Sequence, residues 1–290
     1  MYSFLMPLFL LVFTSSSFAA HLRIQVPSDY IPKKGETPVD IGATVFAHVA
    51  RLVDEKIDLE YMPASHQREW RELRSNPYAC LYNKQKTSAR EKDAIFSHYP
   101  LIAFPSIRLV LRKSITLPDS VSLNEVLQSS NLKIGVVKGR SYGEQLDTII
   151  EANKAAFVWG EGLNSAFNHR ERVAKGTLDG VLEYSEVYLD HFANRPESDE
   201  VTFHSIEGVN ETVFGYIACA RSVHGKMAIA SFDEAMDKPE YFNYMINMHR
   251  VSFPAVEFQF LKDALEAAYQ IPAKSNAVPP DTTLHLARRK

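Results

Sequence analysis

The sequence predicts an α/β protein of two lobes. Three observations point there. Strand and helix patterns alternate along the first stretch as β-α-β-α-β, the sign of a parallel sheet covered by helices. A second alternating set follows, and helical patterns return at the C-terminal end. A chain of 290 residues usually divides into two units. The order fits a first lobe from residues 20–111 and 213–290, with a second lobe, residues 112–212, inserted in it. Each lobe is expected to be a mostly parallel sheet flanked by helices. Two crossings, near Arg112 and near Gly215, would form the hinge of a closing clamp.

Each element has its own signal. Residues 21–26 alternate with apolar Leu22, Ile24 and Val26 and read as a strand; 27–38 is a turn-rich loop. Ile41, Val45, Val49 and Val53 recur at helical spacing over 41–53. A strand at 57–61 precedes a charged helix, 67–75, whose buried side is Trp70 and Leu73, and a strand at 79–82. The second set opens with a strand at 106–111. A helix follows at 122–129, with Ser122 as its cap and Glu125 as the capping-box partner. The strand 133–137 runs directly into Gly139-Arg140-Ser141-Tyr142-Gly143 and a helix at 145–152. After a strand at 157–159 comes a helix, 164–175, ended by Gly176. A strand at 178–184, a short helix at 186–193 and a returning strand at 212–220 complete the insert and its exit. Helices at 226–236 and 256–269 lie on either side of a break at Phe253-Pro254, and the tail 279–290 has no core pattern.

The first nineteen residues carry an apolar run from Phe4 to Phe13, then small residues ending in Ser17-Phe18-Ala19. That pattern predicts a cleavable signal peptide over 1–19. The run is too short for a membrane anchor, which takes about 20 apolar residues. No later segment is apolar for long enough to span, so an exported, soluble chain is expected. A formal net charge of −3 argues against nucleic acid as a partner. The two cysteines, Cys80 and Cys219, both sit in strand-like segments. In an oxidising compartment they invite one disulfide; two buried free thiols are the alternative. No Cys or His pair has metal-ligand spacing, and neither a metal nor a cofactor is expected.

Three loops carry ligand-binding chemistry, and ligands bind beyond the carboxyl ends of strands in open α/β sheets. The first is Asn83-Lys84-Gln85-Lys86-Thr87-Ser88-Ala89-Arg90, followed by Phe96-Ser97-His98-Tyr99-Pro100. It offers a polar turn and one guanidinium, a permanently charged fork that fits a carboxylate. A surface Arg capping a short helix at 88–92 is the plainer alternative. The second, Gly139-Arg140-Ser141-Tyr142, joins a strand to a helix start, where free N–H groups make an anion cradle. An ordinary Ser cap is equally consistent. The third is Gly176-Thr177-Leu178-Asp179-Gly180-Val181-Leu182-Glu183-Tyr184.

The T-x-x-R…F-S-x-x-P arrangement resembles the ligand-anchoring segment of type II periplasmic solute-binding proteins. These are the bacterial extracellular solute-binding protein family 3, and the polar amino-acid-binding branch is the nearest in pattern. The resemblance implies their two-lobed fold over nearly all the mature chain. It implies Arg90 as carboxylate clamp and Thr87 as the turn that aims it. The branch's two hydroxyl positions fall on the amides Asn83 and Gln85. Ser141 takes the hydroxyl position of the second lobe, and Arg140 replaces a commonly small residue beside it. Tyr30 matches an aromatic position that often packs on ligands. Asp179 matches an Asp with a mainly structural role. The Asp that holds the ligand's ammonium falls on Tyr184, the main departure; its ring face can hold a cation or its hydroxyl a polar ligand. A sheet-edge aromatic is the alternative. Glu183 lies one residue earlier, and strand alternation would turn it to the other face.

The function so implied is capture of a small carboxylate-bearing, amino-acid-like solute in the periplasm by a monomer. It would serve an ABC transporter permease or, alternatively, a sensor. An enzyme on this scaffold, such as a dehydratase of small cyclic carboxylic acids, would need an acid or base near the clamp, and only Glu183 is near.

Overall fold

The computed structural model describes residues 22–33, 40–54 and 57–270. The expected signal peptide (1–19) and the tail (279–290) lie outside the described residues.

The first lobe starts with β1 (Leu22–Ser28) and β2 (Ile57–Pro63), paired in parallel. A parallel bridge from Gln25 to Ala79 attaches β3 (Cys80–Lys84). β3 then pairs antiparallel with β12 (Thr212–Ala220), which also pairs with β4 (Ala94–Phe96) and β5 (Ile102–Pro105). α1 (Ile41–Leu52) begins at Asp40, whose carboxylate accepts from Ala43 N–H at 2.7 Å. α2 (His66–Ser75) buries Glu69, Trp70 and Leu73 on one face. α7 (Val223–Met236), α8 (Pro239–Ser252) and α9 (Ala255–Ala268) complete the cover.

The second lobe is a six-stranded sheet in the order β7 (Ser120–Val121), β11 (Val201–Ile206), β6 (Arg108–Arg112), β10 (Gly180–Glu183), β8 (Ile134–Val137), β9 (Phe157–Gly160). Around it lie α3 (Leu123–Ser129), α4 (Glu144–Ala152), α5 (Ser165–Ala174) and α6 (Ser185–His191). Ser122 caps α3 by accepting from Glu125 N–H, as its sequence predicts. β6 is buried on both faces. Leu109 and Leu111 join one core with Ile134 and Leu146, and Val110 joins another with Val181 and Tyr188. Alternation along a strand produces that division.

The sheets are mixed. β1–β2, β8–β9 and β8–β10 are parallel, whereas β6 and β12 run antiparallel to their neighbours among β3, β4, β5, β10 and β11. β4, β5, β7, β11 and α8 have no counterpart in the sequence reading. β4, β5 and β7 have too few residues for periodicity to register, and the alternation of β11 breaks at Ser205. Residues 108–111, assigned to the first lobe from sequence, pair inside the six-stranded sheet. Their apolar run carries no signal of which sheet receives it. The two crossings, 106–107 and 207–211, lie side by side because β5 and β12 pair from Thr212↔Pro105 to Gly215↔Ile102.

Cys80 and Cys219 face each other across β3 and β12, with Cα atoms 4.0 Å apart, and form a disulfide. Among the described residues no helix is long and apolar enough to cross a membrane.

On α6, Glu186 of the second lobe meets Glu257 on α9 of the first. Burial, with the Glu257 carboxyl beside it, pushes its carboxyl up to about 7. The folded value therefore lies above the ordinary 4.5. Such a group adds stability that is present below the unfolded value and lost as pH rises through about 7. Denaturant midpoints should fall between pH 5 and pH 8, and Glu186→Gln should flatten that fall. An unchanged pH slope in the variant would count against the pair.

Candidate functional site

A cavity of about 390 Å³ opens between the lobes, where the ends of β3, β8 and β10 converge. Tyr30, Asn83, Gln85, Arg90, Arg140, Ser141 and Tyr184 all line it. Thr87 and Tyr142 do not; they line a second cavity of about 380 Å³ that Gln85 also touches.

On the first lobe, β3 ends at Lys84 within a turn that begins with Asn83 in the left-handed conformation, φ +52°. Asn is among the few residues that accept it. Its side chain packs against Gly215 of β12, where a Cβ would come within 2.2 Å of the Asn83 amide oxygen. Thr87 closes the next turn: its carbonyl accepts from Glu91 N–H at 2.9 Å, and its hydroxyl accepts from Arg90 N–H at 3.4 Å. The turn delivers the Arg90 guanidinium over the Trp70 ring, 4.5 Å from its centroid. Arg90 donates to the carbonyls of Gln85 (3.2 Å) and Gly139 (3.1 Å). Among the described residues it has no carboxylate within ion-pair distance. Burial lowers its pKa to about 10, against Asp147, Glu69 and Tyr184, so it remains a cation near neutral pH. Nearby Glu69 is occupied by Lys84 (2.6 Å) and His66 (3.3 Å).

On the second lobe, Glu183 forms the base of the site. Arg140 grips it with both terminal nitrogens, at 3.1 and 2.5 Å, and Arg170 from α5 donates at 2.7 Å. Tyr184 N–H donates at 3.1 Å. Burial alone would push this carboxyl up; Arg140 and Arg170 outweigh it and hold the value at about 2. The expectation that Glu183 faces away from the site is corrected. β10 ends at Glu183 and Tyr184 caps α6, so alternation stops there and both side chains reach the cavity. The Tyr184 ring stacks on Phe104, centroids 4.7 Å apart, and its hydroxyl accepts from the Gln85 amide at 3.2 Å.

Ser141 is less available than its position suggests. Its hydroxyl donates to Asp147 at 2.5 Å and accepts from Gly143 N–H at 3.3 Å. α4 starts at Gly143 instead of a Ser cap. The Tyr142 ring is buried in the core of the second lobe, and its hydroxyl accepts from Val137 N–H at 2.7 Å. Asp179 is structural: it pairs with Arg112 at 2.6 Å and accepts from Lys133 N–H at 2.8 Å.

Arg170 and the stacking role of Trp70 have no local motif. Both reach the site from helix faces whose partners lie far away in sequence. The lobes meet through Gln85 to the Ser141 carbonyl (3.3 Å), Asn164 N–H to Asp29 (2.9 Å) and Ser88 to Glu144 (3.0 Å). Gly139, at φ +86°, lies against the start of α2; a Cβ there would stand 2.5 Å from Gln67 N. Gly139→Ala is expected to wedge the lobes apart and weaken any cleft ligand by about tenfold or more. Calorimetry would measure the affinity, and an affinity equal to the parent's would refute the wedge.

No protein-family model matches the chain, and no curated protein matches it in sequence. Solved structures match over most of the chain. An ancestral arginine-binding protein bound to arginine superposes with a TM-score of 0.60 at 16% identity, covering 81% of this chain and 98% of that one. An amino-acid ABC transporter substrate-binding protein from Streptococcus pneumoniae, bound to L-arginine, gives 0.56 at 16%, covering 86% and 95%. A histidine kinase sensor domain with similarity to periplasmic binding proteins gives 0.62 at 10%, covering 80% and 95%. These likenesses establish the fold: two α/β lobes of the periplasmic-binding-protein kind.

Proposed function

We propose that this chain is an exported solute-binding protein. It captures a small carboxylate-bearing solute between its lobes, with Arg90 as the carboxylate clamp. The observation that carries this reading is a guanidinium lining an interlobe cavity, held among the described residues by carbonyls and an aromatic face alone. A guanidinium has five N–H donors, so those left over can take a bidentate carboxylate. A bridging solute would favour the closed arrangement because it touches both lobes only there. The solute's own shape then sets which molecules are retained.

Delivery to an ABC-type permease is one outlet, in line with the Streptococcus likeness. A sensory role without a transporter is the second reading, favoured by the histidine kinase sensor domain. Catalysis finds little support: Glu183, held near 2, stays ionised at neutral pH and is a weak base. Thermal denaturation of the mature protein with amino acids, organic acids and small peptides tests binding. A carboxylate solute should raise the melting temperature without being converted. No shift with any of these solutes would defeat the proposal.

A further inference from the structure

The second-lobe end of the cavity is filled by donors. Glu183 has about four lone-pair positions, and all are taken. One oxygen accepts from Arg140 and Arg170, the other from Arg140 and Tyr184 N–H. A solute's ammonium group therefore finds no acceptor there. The cluster instead carries two guanidiniums on one carboxylate, with side chains only 15%, 13% and 3% exposed for Arg140, Arg170 and Glu183. It keeps one surplus positive charge in a poorly solvated place, an arrangement that favours an incoming anion. Arg170 Nε is buried without a hydrogen-bond partner. Tyr184 accepts from Gln85 and keeps its own O–H to donate.

The other carboxylates at the cavity each accept hydrogen bonds from the protein, and among the described residues only Glu69 is ion-paired. Glu69 belongs to Lys84 and His66; Asp40 caps α1, and burial raises its pKa; Asp29 accepts from Asn164 N–H. Asp147, near Arg90, sits behind Ser141 and does not line the cavity. Each lobe thus presents guanidinium charge to the same space: Arg90 has no ion-pair partner among the described residues, and Arg140 and Arg170 share the single carboxylate of Glu183.

Resting on the binding reading above, we infer that the solute is a small dicarboxylate without an amino group. One carboxylate lies on Arg90 and the other on the Arg140–Arg170 pole.

The test is calorimetry of the mature protein with succinate, glutarate and adipate, against butyrate, L-glutamate and L-arginine. At least one dicarboxylate should bind about tenfold tighter than butyrate and than either amino acid. Arg140→Gln leaves a neutral Arg170–Glu183 pair; it should cost that dicarboxylate about tenfold more than it costs butyrate. Arg170→Gln offers the same reading should the first variant not fold, and the selectivity of the unmodified protein needs no variant. An amino acid that outbinds every dicarboxylate, or a dicarboxylate no better than butyrate, overturns this inference and leaves the binding reading standing. Binding of none of the six overturns this inference, and the wider thermal screen then decides the binding reading.

Discussion

Arg90→Ala is expected to abolish binding of a carboxylate solute. The guanidinium is the one cation on the first-lobe side of the cavity without a carboxylate partner among the described residues, whereas Lys84 is held by Glu69. Losing a partly desolvated charge partner costs about 2–5 kcal/mol, or roughly 30-fold to several thousand-fold in affinity. The fold should tolerate the change, since it removes two bonds to carbonyls and a stack on Trp70 worth about 1 kcal/mol. Arg90→Lys should recover only part of the affinity, because an ammonium lacks the planar fork. Calorimetry of the folded variants decides it. Wild-type affinity for every carboxylate in Arg90→Ala would remove Arg90 from the site.

Removing the Cys80–Cys219 bridge should produce the largest change in stability. The bridge joins residues 139 apart in sequence, and closing so long a loop in the unfolded chain is worth about 4–5 kcal/mol on the chain-entropy view. In a chain of this size that corresponds to about 10–20 °C in melting temperature. Cys80→Ala with Cys219→Ala is the suitable pair, because both side chains are fully buried and alanine adds no polar group. A double variant melting within about 2 °C of the parent would show that packing of β3 on β12 suffices alone. Alkylation of the denatured, unreduced parent should find no free thiol.

How far the sequence reveals the site depends on how local each part is. The Thr87–Arg90 turn was legible because four consecutive residues both make the bend and supply the charge. Asp179 was read as structural only through the family resemblance, since its partners Arg112 and Lys133 lie 67 and 46 residues away. Glu183 was misread because periodicity holds only inside a strand, and β10 ends at that residue. Arg170 was invisible: it stands mid-helix, and only packing of α5 on the sheet brings it to Glu183. Tyr142 has the right neighbours in sequence but turns into the core, since the loop after β8 directs its hydroxyl to Val137. The two-lobe order was readable from alternation. The antiparallel role of β12 was not, because strand direction follows from the path of the chain between partners.

Acidification of the surroundings should leave both poles of the cleft untouched. Glu183 gives up its charge only near 2 and Arg90 only near 10, so from about pH 3 to pH 9 the anchoring charges stay constant. On the proposed reading, variation in retention across that range would then report either the ionisation of the solute itself or that of Glu186 between the lobes near 7, and Glu186→Gln removes the second. With Glu186 neutralised, the proposed site would hold a strongly acidic solute through acidification and release a weakly acidic one.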